Sequence, residues 1–422
     1  MMSTDRSTCD YDLAIAGGGL VGASLALALA PLGLKIALVE AVVPGGDGHP
    51  SYDERTTALS NGTIRAFRSL GVWSRMEREA APIRRIHVSE RGRFGVARID
   101  AAEQGLESLG SVLPNRVIGE ALWHGLAAWP GVEVLAPARV TGTTMVDGCR
   151  RLEAERDGEP LSVTARLVVA ADGARSTIRE QAGIGSDHWD YGQTAIVTTM
   201  TAQRFHDHVA YERFTSEGPI AVLPLTDGRC GVIWTLRPEA AARALELPDE
   251  AFLEEFQQAF GFRLGRFVKV GVKVGRRYSY DLALTRAERH TAPRLAIVGA
   301  AAQGMHPIAG QGFNLGLRDA ACLAEVIADA RAEGRLDAGD DAVLAAYAEW
   351  RDDDRRRIVA FTDGLVRTFG SPLATIGGLR AAGLVAFDLL PPAKAAMSRL
   401  SVGAAGRVPR LARGVPLTGV TP

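Results

Sequence analysis

Cysteine is scarce in this sequence. Four occur in 422 residues, Cys9, Cys149, Cys230 and Cys322, and no two form a C-x-x-C pair. Such scatter argues against a zinc ribbon, a thioredoxin-like redox motif or a disulfide framework, and it fits a reducing compartment. An excess of either charge is also missing: 48 Lys+Arg stand against 49 Asp+Glu, a formal charge of -1. Without a net basic field, nucleic acid is not an expected partner. No G-x-S-x-G appears, so serine-hydrolase chemistry has no support. His206 and His208 lack a third ligand at suitable spacing, so no metal is expected. The stretch Met1 to Asp12 is polar and acidic, unlike a secretory signal. What remains is a composition of 47% hydrophobic and 23% charged residues, that of an average globular chain. At about 150 residues per domain, the length suits two domains or one large one with appendages.

From Leu13 to Leu34 no residue is charged, long enough for a bilayer span. The internal pattern argues otherwise. Tyr11 to Ala16 reads as a short buried strand, Ala23 to Ala30 as a helix, and Lys35 to Glu40 as a second strand. Between the first strand and the helix stands G-x-G-x-x-G, with Gly17 for the tight turn, Gly19 for close approach to a pyrophosphate and Gly22 for helix–strand packing. The helix start offers free N–H groups and a partial positive charge to the phosphate. Glu40 closes the second strand 18 residues after Gly22, where a carboxylate accepts ribose hydroxyls and repels a 2′-phosphate. The unit binds a dinucleotide; by itself it does not separate NAD from FAD.

No second G-x-G-x-x-G follows between a strand and a helix. Two later segments do carry information. Leu167 to Ala171 reads as a buried strand that ends in Asp172-Gly173, and Leu295 to Val298 is another apolar strand, followed by Gly299-Ala300-Ala301-Ala302. That strand runs on into His306-Pro307-Ile308-Ala309-Gly310-Gln311-Gly312-Phe313-Asn314-Leu315-Gly316 and a long helix. Together with the first motif, these segments resemble the flavin-dependent aromatic hydroxylases. Within that group, Ile86 to Gly92, Glu212 to Thr215, Gly218 to Leu225, Asp227 to Cys230 and the loop from His306 to Gly316 are similar to the 2-polyprenyl-6-methoxyphenol hydroxylase family of ubiquinone biosynthesis.

The resemblance implies an α/β fold: a Rossmann-type FAD-binding domain like that of para-hydroxybenzoate hydroxylase, an antiparallel-sheet substrate domain and C-terminal helices. It implies FAD as cofactor, NAD(P)H as transient reductant, and O2 and a polyprenylated phenol as substrates, with ring hydroxylation through a flavin C4a-hydroperoxide. The alternatives are a hydroxylase of a small soluble aromatic, or a non-catalytic flavin-holding subunit of a quinone-biosynthesis assembly. The cofactor-binding residues it implies are Gly17, Gly19, Gly22, Glu40, Arg55, Arg116, Asp172, Gly299, Ala300, Gly312, Phe313 and Asn314. Around the reacting ring it implies Pro307, Gly310, Gln311 and Gly312. Two arginine forks suit a pyrophosphate or the flavin edge. The sequence departs from the family at position 300, where Ala300 replaces the acid that accepts a ribityl hydroxyl.

The expected domains are a discontinuous flavin unit (10–75, 100–184 and 285–345), a substrate sheet (76–99 and 185–284) and a C-terminal helical region with a basic tail (346–422). In the sheet region, 193–201, 210–213, 219–225, 231–236 and 267–280 read as strands, and Asp249 to Phe260 as an amphipathic helix with Phe252, Phe256 and Phe260 at four-residue spacing. Asp352-Asp353-Asp354 with Arg355-Arg356-Arg357 reads as a solvated helix face. From Ile376 onward six cationic residues face only Asp388. That tail suits either an anionic membrane surface or a terminal helix packed on the flavin unit. A cytoplasmic protein, peripheral at the inner face of a membrane, is the corresponding expectation.

Overall fold

The structure, a computed structural model, describes residues 9–43, 55–268, 275–304, 311–352 and 406–418, with single positions 354, 356, 388, 390 and 394. The uncharged N-terminal stretch divides into strand β1 (Tyr11–Ala16) and helix α1 (Leu20–Leu29). Ten helical residues extend about 15 Å, half of a bilayer core. Among the described residues no helix is long and apolar enough to cross a membrane. α1 is apolar all round because it is enclosed on all sides.

β1 lies at the centre of a parallel sheet. Its neighbours are β2 (Ile36–Val39), then β8 (Val132–Leu135), on one side, and β11 (Glu159–Ala170), then β19 (Leu295–Ile297), on the other. The segments 13–16, 36–39, 167–170 and 295–297 are apolar throughout because both faces are covered there. Leu13 and Ile15 pack in a core with residues of α1, α3 (Asn115–Leu126) and α7 (Gln311–Ala332). Ala14 and Ala16 face the other way, into a core shared with β10 (Cys149–Arg156), β11 and α4 (Thr177–Gln181). β9 (Arg139–Val146) and β10 extend the first half of β11 as an antiparallel meander, and β18 (Thr291–Ala292) borders β19.

A second sheet of nine strands runs in the order β20 (Gln303–Gly304), β17 (Tyr278–Ala287), β12 (Ser186–Ala202), β15 (Arg229–Leu236), β14 (Pro219–Pro224), β13 (Val209–Phe214), β5 (Arg85–Glu90), β6 (Val96–Asp100), with β16 (Phe267–Val268) beside β12. One face is covered by α5 (Pro238–Glu246) and α6 (Asp249–Phe260), where Phe252 and Phe256 meet the Trp234 ring at 5.5 and 5.6 Å. A small sheet, β3 (Thr56–Ser60), β7 (Gly110–Pro114) and β4 (Ala81–Ile83), joins the halves. α2 (Asn61–Ser69) follows β3, and its first turn is capped by Ser60.

Three expectations are corrected. Cys9 and Cys149 form a disulfide, while Cys230 and Cys322 are free and buried. Tyr11 of β1 and Arg150 of β10 both register against Ala165 of β11, so the residues just before each strand converge. Among the described residues, the segment read as one strand over 267–280 forms β16 and the start of β17, with no strand at 275–277, where the Gly275 amide donates to the Thr199 carbonyl of β12. Asp354 is not on a solvated face: it is buried between Arg318 and Arg351, at 2.7 Å from each, because its helix packs on α7.

Most of the basic tail, including Arg380 and Arg399, falls outside the described residues. The part that is described, 406–418, packs against α2, α7 and Trp350. Arg407 stacks 3.7 Å from the Trp350 ring, and the Ala412 carbonyl accepts from Arg65 Nε at 2.8 Å.

Candidate active site

At the end of β1, Gly17 has φ of 101°, and a Cβ there would lie 2.5 Å from the Ala171 carbonyl oxygen. A Cβ on Gly22 would lie 1.9 Å from the Gly17 oxygen, so α1 sits on the strand as closely as two backbones permit. Gly19 is the N-cap of α1, with no side-chain cap and no acid in the first turn. Among the described residues the first amides of α1 therefore have no side-chain partner, and they suit an anion. Glu40, just past β2, is buried; its Oε2 accepts from Gly18 N at 2.6 Å and its Oε1 from Val42 N at 3.0 Å.

Asp172 follows β11. Its Oδ2 accepts from Ile178 N at 3.3 Å, while Oδ1 is buried with no hydrogen-bond partner among the described residues. Burial raises its carboxyl above the ordinary range. Arg179 ties this loop to the next one by donating to the Ala174 and Ala301 carbonyls at 3.1 and 3.0 Å. An orphaned carboxylate oxygen, an uncapped helix start and glycines without space for a Cβ fit the hydroxyls and pyrophosphate of FAD.

The turn Gly299–Ala301 reaches the same region. Ala300 is exposed there. The buried acid nearby is Asp319 of α7, which sequence reading did not single out. Its Oδ2 accepts from Gly299 N at 2.9 Å and Gln303 Nε2 at 2.8 Å, and its Oδ1 faces Arg351 Nε at 2.7 Å. Both oxygens are engaged within the protein, so Asp319 does not replace the family's acid.

Arg55 and Arg116 leave adjoining strand ends, since Asn115 N donates to the Arg55 carbonyl at 2.8 Å. Their side chains part. The Arg55 guanidinium lies 4.9 Å from the Tyr280 ring centroid, and Arg116 pairs with Glu79 at 2.8 Å. Pro307 and Gly310 lie outside the described residues, and Gln311 opens α7. Asn314 clamps α7 to β3: its Oδ1 accepts from Ser60 N at 2.8 Å and Thr63 Oγ1 at 2.7 Å, and its Nδ2 donates to the Ala58 carbonyl at 2.9 Å.

Gly312 and Phe313 border a cavity of about 300 Å³. Thr56, Thr57 and Ala58 of β3 form another wall. The facing wall is the uncovered face of the nine-stranded sheet, with Ile86, Ala210, Glu212, Ala221, Leu223 and Ile233. Alternation along β13 produces this arrangement: Tyr211 turns to the far face, 5.9 Å from the Phe260 ring, while Ala210 and Glu212 look into the cavity. Glu212 is half-buried, and its carboxyl has no hydrogen bond or ion pair among the described residues. Desolvation pushes it up to about 8. Sequence reading placed this residue in a strand and in the stretch Glu212 to Thr215 but gave it no site role; the available signal was an acid in mid-strand on the same face as Ala210.

Residues 10–362 match the model of the FAD binding domain family. Over 411 residues the chain is 40% identical to the ubiquinone hydroxylase UbiL of Rhodospirillum rubrum, covering 96% of this chain and 93% of that one. Over 382 residues it is 33% identical to the 3-demethoxyubiquinol 3-hydroxylase of Escherichia coli, covering 89% and 94%. The crystal structure of p-nitrophenol 4-monooxygenase PnpA from Pseudomonas putida DLL-E4 superposes with a TM-score of 0.76 over 94% of this chain and 98% of that one, at 19% identity, which shows a shared fold.

Proposed function

The chain belongs to the FAD binding domain family and is a flavin-dependent monooxygenase, and from that premise we propose that it hydroxylates the aromatic ring of a polyprenylated phenol in ubiquinone biosynthesis. The observation that supports this reading best is the cavity of about 300 Å³ between the flavin unit and the nine-stranded sheet, apolar apart from two threonines, Glu212 and backbone. Such a volume suits one substituted ring. A long prenyl chain then remains outside, so contact with a membrane surface that holds the substrate is part of the same reading.

The chain's own groups divide the work. Gly17, Gly19, Gly22 and the start of α1 would hold the pyrophosphate, Glu40 the adenosine ribose, and Asp172 a hydroxyl through its unpartnered Oδ1. When bound, FAD supplies the activation of O2 and the transfer of one oxygen atom after reduction by NAD(P)H. The start of α7 brings the backbone of Gly312 to the cavity wall, where N–H groups and the helix dipole favour negative charge. Ile86, Leu223, Ile233 and Phe313 keep water from the reacting ring.

The experiment is quinone-intermediate profiling in a deletion strain, with and without this gene, beside purified enzyme given NAD(P)H and a short-chain 2-prenyl-6-methoxyphenol. Accumulation of a ring-unhydroxylated phenol in the strain, and a product one oxygen heavier in vitro, are expected. Turnover of small soluble phenols alone would overturn the polyprenyl assignment.

A further inference from the structure

We propose that Glu212 is the hydrogen-bond acceptor and general base for the substrate's phenolic hydroxyl. The proposal rests on the reading of the substrate as a phenol. Glu212 is the single carboxyl among the described residues lining the cavity. It stands on a rigid element, with β13 paired to β14 at Glu212–Ala221 and to β5 at Glu212–Val88. Its neighbours across the face, Ala221 and Ile233, offer no side-chain donor. An acid with no partner in an apolar chamber is costly for the fold unless an incoming donor satisfies it. A phenol supplies one donor on a flat apolar ring, which is the complement of this wall.

The environment also tunes the base. β3 contributes only hydroxyls and a methyl to the cavity, and α7 only Gly312 and Phe313. Arg213, next on β13, belongs to the opposite face with Tyr211, and Arg55 is held over Tyr280. No cation among the described lining residues offsets the desolvation, which alone sets the raised value of about 8. A carboxylate made this basic is closer to a phenol's proton affinity than an ordinary one, and general bases work best near the operating pH. In the step, the phenolic O–H bond breaks and an O–H bond forms on a Glu212 oxygen. The electron pair stays on the phenolic oxygen and enriches the ortho and para carbons for attack on the electrophilic oxygen. After product release the proton stays on Glu212, which rests protonated below about 8, and it leaves to solvent when the next phenol binds; no further oxidant is needed.

The test is proton linkage by calorimetry on the FAD-loaded full chain at pH 7, in buffers of different ionisation enthalpy, with 2-methoxy-6-prenylphenol and its O-methyl ether as probes. Binding of the phenol favours ionised Glu212, so wild type is expected to release most of one proton per phenol bound, and none with the ether. Glu212→Gln should release none with either probe and lose roughly 10²- to 10⁴-fold in kcat with flavin content unchanged. Glu212→Asp should retain the linkage and recover part of kcat. Equal proton release in wild type and Glu212→Gln, or from phenol and ether alike, overturns the proposal. Proton release without ring hydroxylation leaves Glu212 standing and overturns the substrate reading instead. Absence of binding heat with either probe overturns both.

Discussion

Gly22 has no room for a methyl group, because its Cβ would stand 1.9 Å from a backbone oxygen. Gly22→Ala is therefore expected to push α1 off β1 and give protein without visible flavin absorbance; stoichiometric flavin in that variant would remove the pyrophosphate from this turn. Glu40→Ala takes the carboxylate from the Gly18 and Val42 amides and would remove the proposed ribose acceptor. A hydrogen bond to a charged group contributes about 1.5–3 kcal/mol, so FAD should bind roughly 10- to 150-fold more weakly in a fluorescence titration. Ala300→Asp has the opposite sign. The position is exposed, so the new acid stays solvated, and tighter FAD is expected if the ribityl chain passes here. These residues were legible in the sequence because local backbone geometry dictates them: a turn this tight accepts only glycine. Glu212 was not, because its role exists only once β13 faces β3 and the start of α7, about a hundred residues on in the chain.

At the scale of elements, α7 does two jobs. Its first turn walls the cavity, and its third turn carries Asp319, which holds the Gly299 turn through a backbone amide and pairs with the fully buried Arg351. Removing one partner of a buried ion pair leaves the other charge uncompensated, at a cost of about 3–5 kcal/mol. Asp319→Ala should show that loss in urea unfolding and should lower flavin content, since the Gly299 turn loses its anchor. If only stability falls, the turn is held by Arg179 and the backbone. The Asp-Arg run near 352–357 was misread for a related reason. Helical periodicity shows which residues share a face but not what arrives opposite it, and here Arg318 arrives. α6 was read with its bounds because its three phenylalanines are spaced for one face and its end is marked by Gly261. The strand over 267–280 was read too long because the alternation of its sequence was carried through 275–277, where the described backbone forms no strand.

At the scale of the whole molecule, the two faces of the nine-stranded sheet bend stability in opposite directions with pH. On the covered face, His87 is pushed down to about 4, first by burial and then by the charges of Arg263, Arg98 and Arg213. His206 and His208 move the same way, chiefly through burial. The unfolded imidazole takes its proton near 6.5, so between about 6.5 and 4 the unfolded chain binds more protons and stability falls as pH falls. Glu212 on the cavity face does the reverse. Its folded value of about 8 stands above 4.5, so its contribution is fully present below 4.5 and is lost as pH rises through 8. Stability should therefore decline on both sides of a maximum at mildly acidic to neutral pH. His87→Leu, which also removes two buried ring nitrogens without partners among the described residues, should lessen the acid-side fall and leave the share of His206 and His208 in place. Glu212→Gln should flatten the alkaline side, steepen the fall between about 6.5 and 4.5, and raise the melting temperature at pH 8. Thermal unfolding of the three proteins from pH 4.5 to 9 reads all of this, and parallel curves would show that neither group titrates as its surroundings dictate. A variant that gains stability at pH 8 while losing turnover would mark Glu212 as a residue kept at the expense of the fold, since an unpartnered acid in an apolar chamber serves binding and chemistry but not folding.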